Sequence, residues 1–211
     1  MKKLTLVGAV AAAVLMGSAT LAQAESGAFI GGGRLAYNWS TITYGSSSTY
    51  SYGGGSGFEA GAVGRLAVVE GQMGVHIGAN FLYRSSLSFS AFEASEMAVG
   101  VPILFEINPF AVSGLNNSIY EMIFIQIGLQ PDYIVSYSET RNGTTYTDKD
   151  DLLYDRTLFN IGLVVGAVGY FNSHVSLDVR YFYGLMSYSS EDQYAKNWFP
   201  YSVSVGLSFY L

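Results

Sequence analysis

The stretch Thr157–Tyr188, TLFNIGLVVGAVGYFNSHVSLDVRYFYGLMSY, restricts the fold more than any other part of the chain. Two runs of alternating residues flank the short segment Tyr170–His174. In the second run Val175, Leu177, Val179, Tyr181, Tyr183 and Leu185 share one face, and Ser176, Asp178, Arg180, Phe182, Gly184 and Met186 share the other. A period of two predicts a β-hairpin with one apolar and one polar face. In water the apolar face turns to a protein core. In a bilayer it turns to lipid, and the polar face lines the inside of a closed barrel.

The N-terminus bears on this choice. Lys2 and Lys3 precede the apolar run Leu4–Met16, and Ala22-Gln23-Ala24 forms a small-x-small pattern ahead of Glu25. This predicts a secretory signal peptide over residues 1–24, with residues 25–211 as one mature domain. The apolar run is shorter than the ~20 residues of a membrane-spanning helix, and without cysteine there is neither a lipid-modified cysteine nor a disulfide framework. Removing Lys2 and Lys3 from ten basic residues leaves eight against sixteen acidic ones, a formal charge of −8. Such a balance argues against a nucleic-acid surface. The whole chain is 50% hydrophobic, with 17 Tyr, 13 Phe and 25 Gly, yet no later segment is apolar for long enough to span as a helix. Hydrophobicity hidden in alternation is the mark of a transmembrane β-barrel.

Six further alternating segments follow from the same reading: Ala28–Trp39, Gly57–Val69, Met73–Arg84, Glu96–Ile107, Ile119 to about Tyr137, and Trp198–Leu211. Together with the opening hairpin they give an all-β, eight-stranded, antiparallel up-and-down transmembrane barrel. Pro102 predicts an irregularity in the fourth strand, and Pro131 a second one where the fifth leaves the bilayer. Long polar connections (Thr41–Ser56, Ser85–Ser95, Ser138–Asp155, Ser189–Asn197) alternate with the tight ones at Glu70–Gln72 and Tyr170–His174 and the intermediate one at Asn108–Ser118. Long loops outside and short turns in the periplasm are the bacterial outer-membrane arrangement. Aromatic girdles are expected at Trp39, Tyr83, Tyr188, Trp198 and Tyr201 above, and at Phe29, Phe105, Tyr170 and Phe171 below.

The series Asp155-Arg156, Phe159–Gly166, Val175–Tyr181 and Tyr183-Gly184-Leu185 resembles the PorT-like outer-membrane β-barrel family: a glycine-rich strand, a short turn, then an acidic-x-Arg-Tyr strand ending in Gly-Leu. Glu96–Glu106 with Pro102 is similar to that family's fourth strand. The ending Val205–Leu211 resembles the C-terminal signal read by the outer-membrane assembly machinery, although Leu211 stands where an aromatic residue is usual. The resemblance implies fold and location, and brings no catalytic residues with it.

The candidate site is the set of inward charges, Arg34, Arg65, Arg84 and Arg180 against Glu59, Glu96, Glu106 and Asp178. Four of each sign predict a neutral internal network, because an unpaired buried charge costs several kcal/mol. An interior of eight strands holds its own side chains or one small ligand. The many inward small residues, among them Gly32, Gly61, Gly78, Gly100, Gly128, Gly162 and Gly166, leave a narrow conduit open as an alternative to a plugged core. His174-x-Ser176 is similar to the His-x-Ser pair of outer-membrane lipid A deacylases, but it falls at a periplasmic turn, away from the outer leaflet. His76 stands alone on an inward face, and the acidic run Asp148–Asp155 lacks the spacing of a calcium loop. No catalytic residue, cofactor or metal is expected. The expected partners are outer-membrane lipid and lipopolysaccharide, the assembly machinery, and an extracellular ligand of the loops; the chain is expected to be a monomer.

Overall fold

The computed structural model describes residues 29–44, 51–88, 93–114, 122–147, 157–187 and 198–211. The expected signal peptide lies outside them. Ten strands are present: β1 (Phe29–Tyr44), β2 (Ser51–Val69), β3 (Met73–Ser88), β4 (Glu93–Gly100), β5 (Ile103–Ile107), β6 (Ile123–Arg141), β7 (Thr144–Tyr146), β8 (Phe159–Tyr170), β9 (Val175–Gly184) and β10 (Trp198–Tyr210). Each main strand pairs antiparallel with its neighbours in sequence, and β1 pairs with β10, so the sheet closes on itself. Closure leaves no unpaired edge, the condition for a sheet in hydrocarbon.

β4 and β5 are one wall position of this ring, which therefore has eight. Gly100 pairs with Asn80 and Ile103 with Ile77, three residues on along both strands, so the register runs through the gap at Val101-Pro102. Pro102 has no N–H to give. Its carbonyl still accepts from the Gly78 N–H at 2.9 Å, and the Val101 N–H reaches the Pro131 carbonyl at 2.9 Å. The irregularity expected at Pro102 is thus a lost bond without a slip. At Pro131 the expected irregularity is absent from the pairing with β8, where Pro131 stands opposite Ile161, and β6 runs past the expected end near Tyr137 to Arg141. The register shift of β6 lies on its other side, in the pairing with β4 between Met97 and Ala98.

The polar connections are shorter than expected. β1 runs to Tyr44 and β2 begins at Ser51, while β3 runs to Ser88 and β4 begins at Glu93. The expected loop from Ser138 opens as a hairpin, Arg141 pairing with Thr144 around Asn142-Gly143. Both turn residues have positive φ, 51° and 80°, as the hairpin turn that matches strand twist requires. At the opposite end Gly71, φ 69°, makes the β2–β3 turn. Asn172 Oδ1 accepts from the backbone of His174 and Val175 to close the β8–β9 turn. A one-turn helix, α1 (Pro109–Val112), capped by Asn108, begins the third connection.

Burial alternates with the parity read from sequence, in the sense a bilayer demands. Leu35 is 61% exposed, Ile127 49% and Val179 46%, whereas Arg34, Gln126 and Asp178 are at most 2% exposed. A belt of exposed Leu, Ile, Val, Phe and Tyr around a charged interior is unstable in water, where large contiguous apolar patches are rare. It suits lipid outside and a polar lumen inside. Among the expected girdle residues, Trp39 at 51% and Phe171 at 59% are exposed. Tyr170 is not part of a girdle, because its hydroxyl turns inward to Glu106. Tyr188 lies outside the described residues.

Candidate functional site

The lumen gathers all eight charged residues read from the sequence, in two clusters. In the first, Asp178 on β9 accepts from Arg34 on β1 at both carboxylate oxygens, Nε to Oδ2 at 3.0 Å and Nη2 to Oδ1 at 2.7 Å. Arg34 also pairs with Glu59 on β2, and Arg180 Nε lies 3.0 Å from Asp178 Oδ1. The same Nε donates to Gln126 Oε1 at 3.1 Å, and Gln126 Nε2 donates to Glu106 Oε1 at 2.7 Å. Glu106, fully buried, takes Arg65 Nε at 2.8 Å. Its two oxygens are taken up by the Arg65 guanidinium, the Gln126 amide and the Tyr170 hydroxyl, the charge-assisted bond among them being the strongest kind.

In the second cluster Arg84 on β3 donates to Glu96 on β4 at 2.6 Å and to Asp132 on β6 at 3.4 Å. Asp132 is held in turn by Gln130 Nε2 at 2.9 Å. It is absent from the set read out of the sequence, and the alternation that places Gln126 and Gln130 inward reaches it two residues past Gln130. Glu139, also fully buried, accepts from the Tyr137 hydroxyl at 3.2 Å and faces Arg141. Among the described residues five arginines, Arg141 included, therefore meet six buried carboxylates, which corrects the expected balance of four against four.

Between the clusters Leu104, Val164 and Phe182 form an apolar contact group inside the barrel. Three pairs span the lumen from strands on opposite sides of the ring. Arg65 on β2 stacks over the Tyr170 ring of β8 at 4.5 Å. Arg180 Nη2 on β9 lies 3.2 Å from His76 Nε2 on β3. Arg84 on β3 lies 5.8 Å from the Phe182 ring on β9. Near the turn end Phe124, Tyr170 and Tyr210 pack edge-on and tilted at 5.5 and 6.1 Å, with the Arg65 guanidinium over Phe124 at 4.9 Å.

At inward Gly32 and Gly128 a Cβ would meet the backbone of the adjoining strand, but at other inward glycines, which leave a conduit open in the sequence, it would meet a lumen side chain. A Cβ on Gly162 would strike the Phe182 ring, one on Gly100 the Asp132 carboxylate, and one on Gly206 the Arg34 guanidinium at 2.5 to 2.7 Å. Their lack of a side chain is where the large lumen residues lie. The polar atoms without a protein partner include Asn38 Nδ2, both side-chain atoms of Asn80, and Arg180 Nη1.

His174 and Ser176 do not form a dyad. Ser176 is buried and donates to the Tyr210 hydroxyl, while exposed His174 meets the Ser173 hydroxyl at 2.8 Å. Among the described residues no group of His, Asp and Glu is arranged to hold a metal ion. The acidic run from Asp148 lies outside those residues.

No protein-family model and no curated protein sequence matches the chain. Among solved structures, Neisserial surface protein A superposes with a TM-score of 0.55 at 10% identity, over 85% of this chain and 96% of its own. Ail, the attachment invasion locus protein of Yersinia pestis, gives 0.51 at 10% identity, over 87% and 99%. The likeness is one of fold: a closed, antiparallel, small outer-membrane β-barrel.

Proposed function

We propose that this chain is a monomeric, non-enzymatic, integral outer-membrane barrel with a filled lumen, acting as a structural or surface-interaction protein through its external loops. The observation that carries this reading is the set of three side-chain pairs joining opposite walls. A lumen bridged at Arg65–Tyr170, His76–Arg180 and Arg84–Phe182 spends its eight-stranded width on its own side chains. The apolar belt supports residence in the outer membrane. The signal peptide over residues 1–24 and the strand ending at Leu211 fit export and delivery to the assembly machinery. The finer placement in the PorT-like family rests on the Asp178-Val179-Arg180-Tyr181 and Gly184-Leu185 residues. Ail has also been solved with the heparin analogue sucrose octasulfate; sixteen acidic against ten basic residues here favour a loop partner other than a polyanion.

A second reading, a narrow transport path for small solutes or a lateral exit for hydrophobic ones, is favoured by one observation, the unpartnered polar atoms of Asn38, Asn80 and Arg180. Conductance of the refolded protein in planar bilayers separates the two. Silence is expected from wild type shown to be folded by heat-modifiable gel migration. Stable openings that change in Arg180→Ala would overturn the filled-lumen reading in favour of transport.

A further inference from the structure

On the outer face, toward the loop end, β1, β2 and β10 enclose a groove of about 310 Å3 with walls of Trp39, Thr41, Tyr201 and Val203 and a floor of Gly54 and Gly55. Its origin is local. Ser40 pairs with Gly55 but Ile42 with Tyr52, so β2 carries one residue more than β1 across this interval. The extra residue falls in the run Gly53-Gly54-Gly55, where a bulge meets no steric cost. It opens a gap in the outward row, bordered among the described residues by Trp39, Thr41, Ser56, Tyr201 and Val203. The walls are fixed: Tyr37 meets Trp39 edge-on at 4.6 Å, and Tyr181 lies 6.1 Å from Tyr201.

The chemistry of the lining names the occupant. Among the described residues no charged side chain lines the groove, so an anionic headgroup finds no counter-charge there. Trp39, 51% exposed, and Val203, 37% exposed, belong to the same outward rows as Leu35, Tyr37, Leu207 and Phe209, so the groove opens onto the medium that bathes the apolar belt. At ~30 Å3 per water-sized group, its volume of about 310 Å3 has room for about ten such groups. We propose that this groove holds one acyl chain of an outer-leaflet lipid. The proposal rests on the membrane placement argued above and specifies a lipid site within it.

The test is a filling substitution. A Cβ on Gly54 would meet only the Ser40 carbonyl, at 3.6 Å, so Gly54→Leu fits the backbone and places its side chain in the groove. Native mass spectrometry of protein extracted from outer membranes is expected to show one lipid retained on the wild type and at least tenfold less on Gly54→Leu. In vesicles of phosphatidylcholine with brominated acyl chains, Trp39 fluorescence, read in a Trp198→Phe background, is expected to be quenched at least twofold less in the filled variant. Ser56→Leu, on the same wall, gives the same reading if Gly54→Leu does not fold. Equal retention and quenching in wild type and variants, or no retained lipid, overturns the proposal. A dimer mass lost in Gly54→Leu also overturns it, making a second copy the occupant. Failure of the wild type to insert into vesicles counts against the membrane placement itself, whereas insertion without a retained lipid counts only against the groove.

Discussion

Asp178 is the acceptor on which the larger lumen cluster converges, and replacing it by Asn is the sharpest perturbation of that cluster. The carboxylate is 1% exposed and takes two contacts from Arg34, at 3.0 and 2.7 Å, and one from Arg180 at 3.0 Å. Asn keeps the shape but turns an NH2 toward one of these donors and removes the negative charge. Two buried guanidinium groups are left with Glu59 as the nearest carboxylate, since Glu106 is already engaged by Arg65. Each charge-assisted bond is worth about 1.5–3 kcal/mol, and breaking a buried pair by removing one partner costs about 3–5 kcal/mol. A loss in that range is expected. With an m value of ~1–3 kcal/mol/M, the urea midpoint falls by at least ~1 M. The assay is equilibrium unfolding from lipid vesicles, followed by tryptophan fluorescence. Arg180→Gln in the same protein removes the cation left over and should recover ~1–3 kcal/mol, a coupling of the size found for groups in one network. A midpoint shift below ~0.3 M for Asp178→Asn, or a double variant equal to the sum of the singles, would refute the claim that this carboxylate neutralises both arginines.

Gly162→Ala puts a methyl group against the Phe182 ring and is expected to cost ~1–3 kcal/mol in the same unfolding assay, most of it recovered when Phe182→Leu is added. Gly143→Ala forces an L side chain into φ 80° and is expected to cost ~1–2 kcal/mol, but only locally. Hydrogen exchange should accelerate at the Thr140–Thr145 and Arg141–Thr144 rungs while the amides of β8 and β9 stay protected, and uniform acceleration would count against a strain confined to this hairpin.

Parity was legible in the sequence because the membrane leaves it no freedom. A one-residue slip would turn Asp178 and Arg180 to lipid and Val179 and Tyr181 to the lumen, so the face of each residue follows from its neighbours. Asp132 was missed because the inward row of a strand expected to run to about Tyr137 was followed only as far as Gln130, where Pro131 interrupts the pattern. Proline's fixed φ is compatible with extended backbone, and here only one ladder donor is forfeited, so the alternation continues beneath it. The hairpin at Asn142-Gly143 did carry its signal, an Asn-Gly pair flanked by strand-compatible residues, obscured by the surrounding charges. What the inward glycines do was not legible. Whether Gly206 bounds empty space depends on which side chain leans over it. That is Arg34, two residues along β1 from the Ala36 that pairs with Gly206, a neighbour set by ring closure.

The contacts across the lumen also say how the barrel holds together. Isolated hairpins are marginal in stability, and contacts inside this lumen join residues far apart in the chain, Arg180 with His76 across it at a separation of 104 and Arg34 with Asp178 on either side of β10 at 144. None of them forms within a single hairpin. A sheet not yet closed keeps Arg34 with Glu59 and Asp178 with Arg180 but separates Arg34 from Asp178 and Arg180 from His76, and polar groups buried without their partners cost free energy. Closure supplies the missing partners and the last ladder, β1 to β10, in one step. The charged interior is therefore a reason for the ring to be either complete or absent, while the apolar exterior decides only where the completed ring resides.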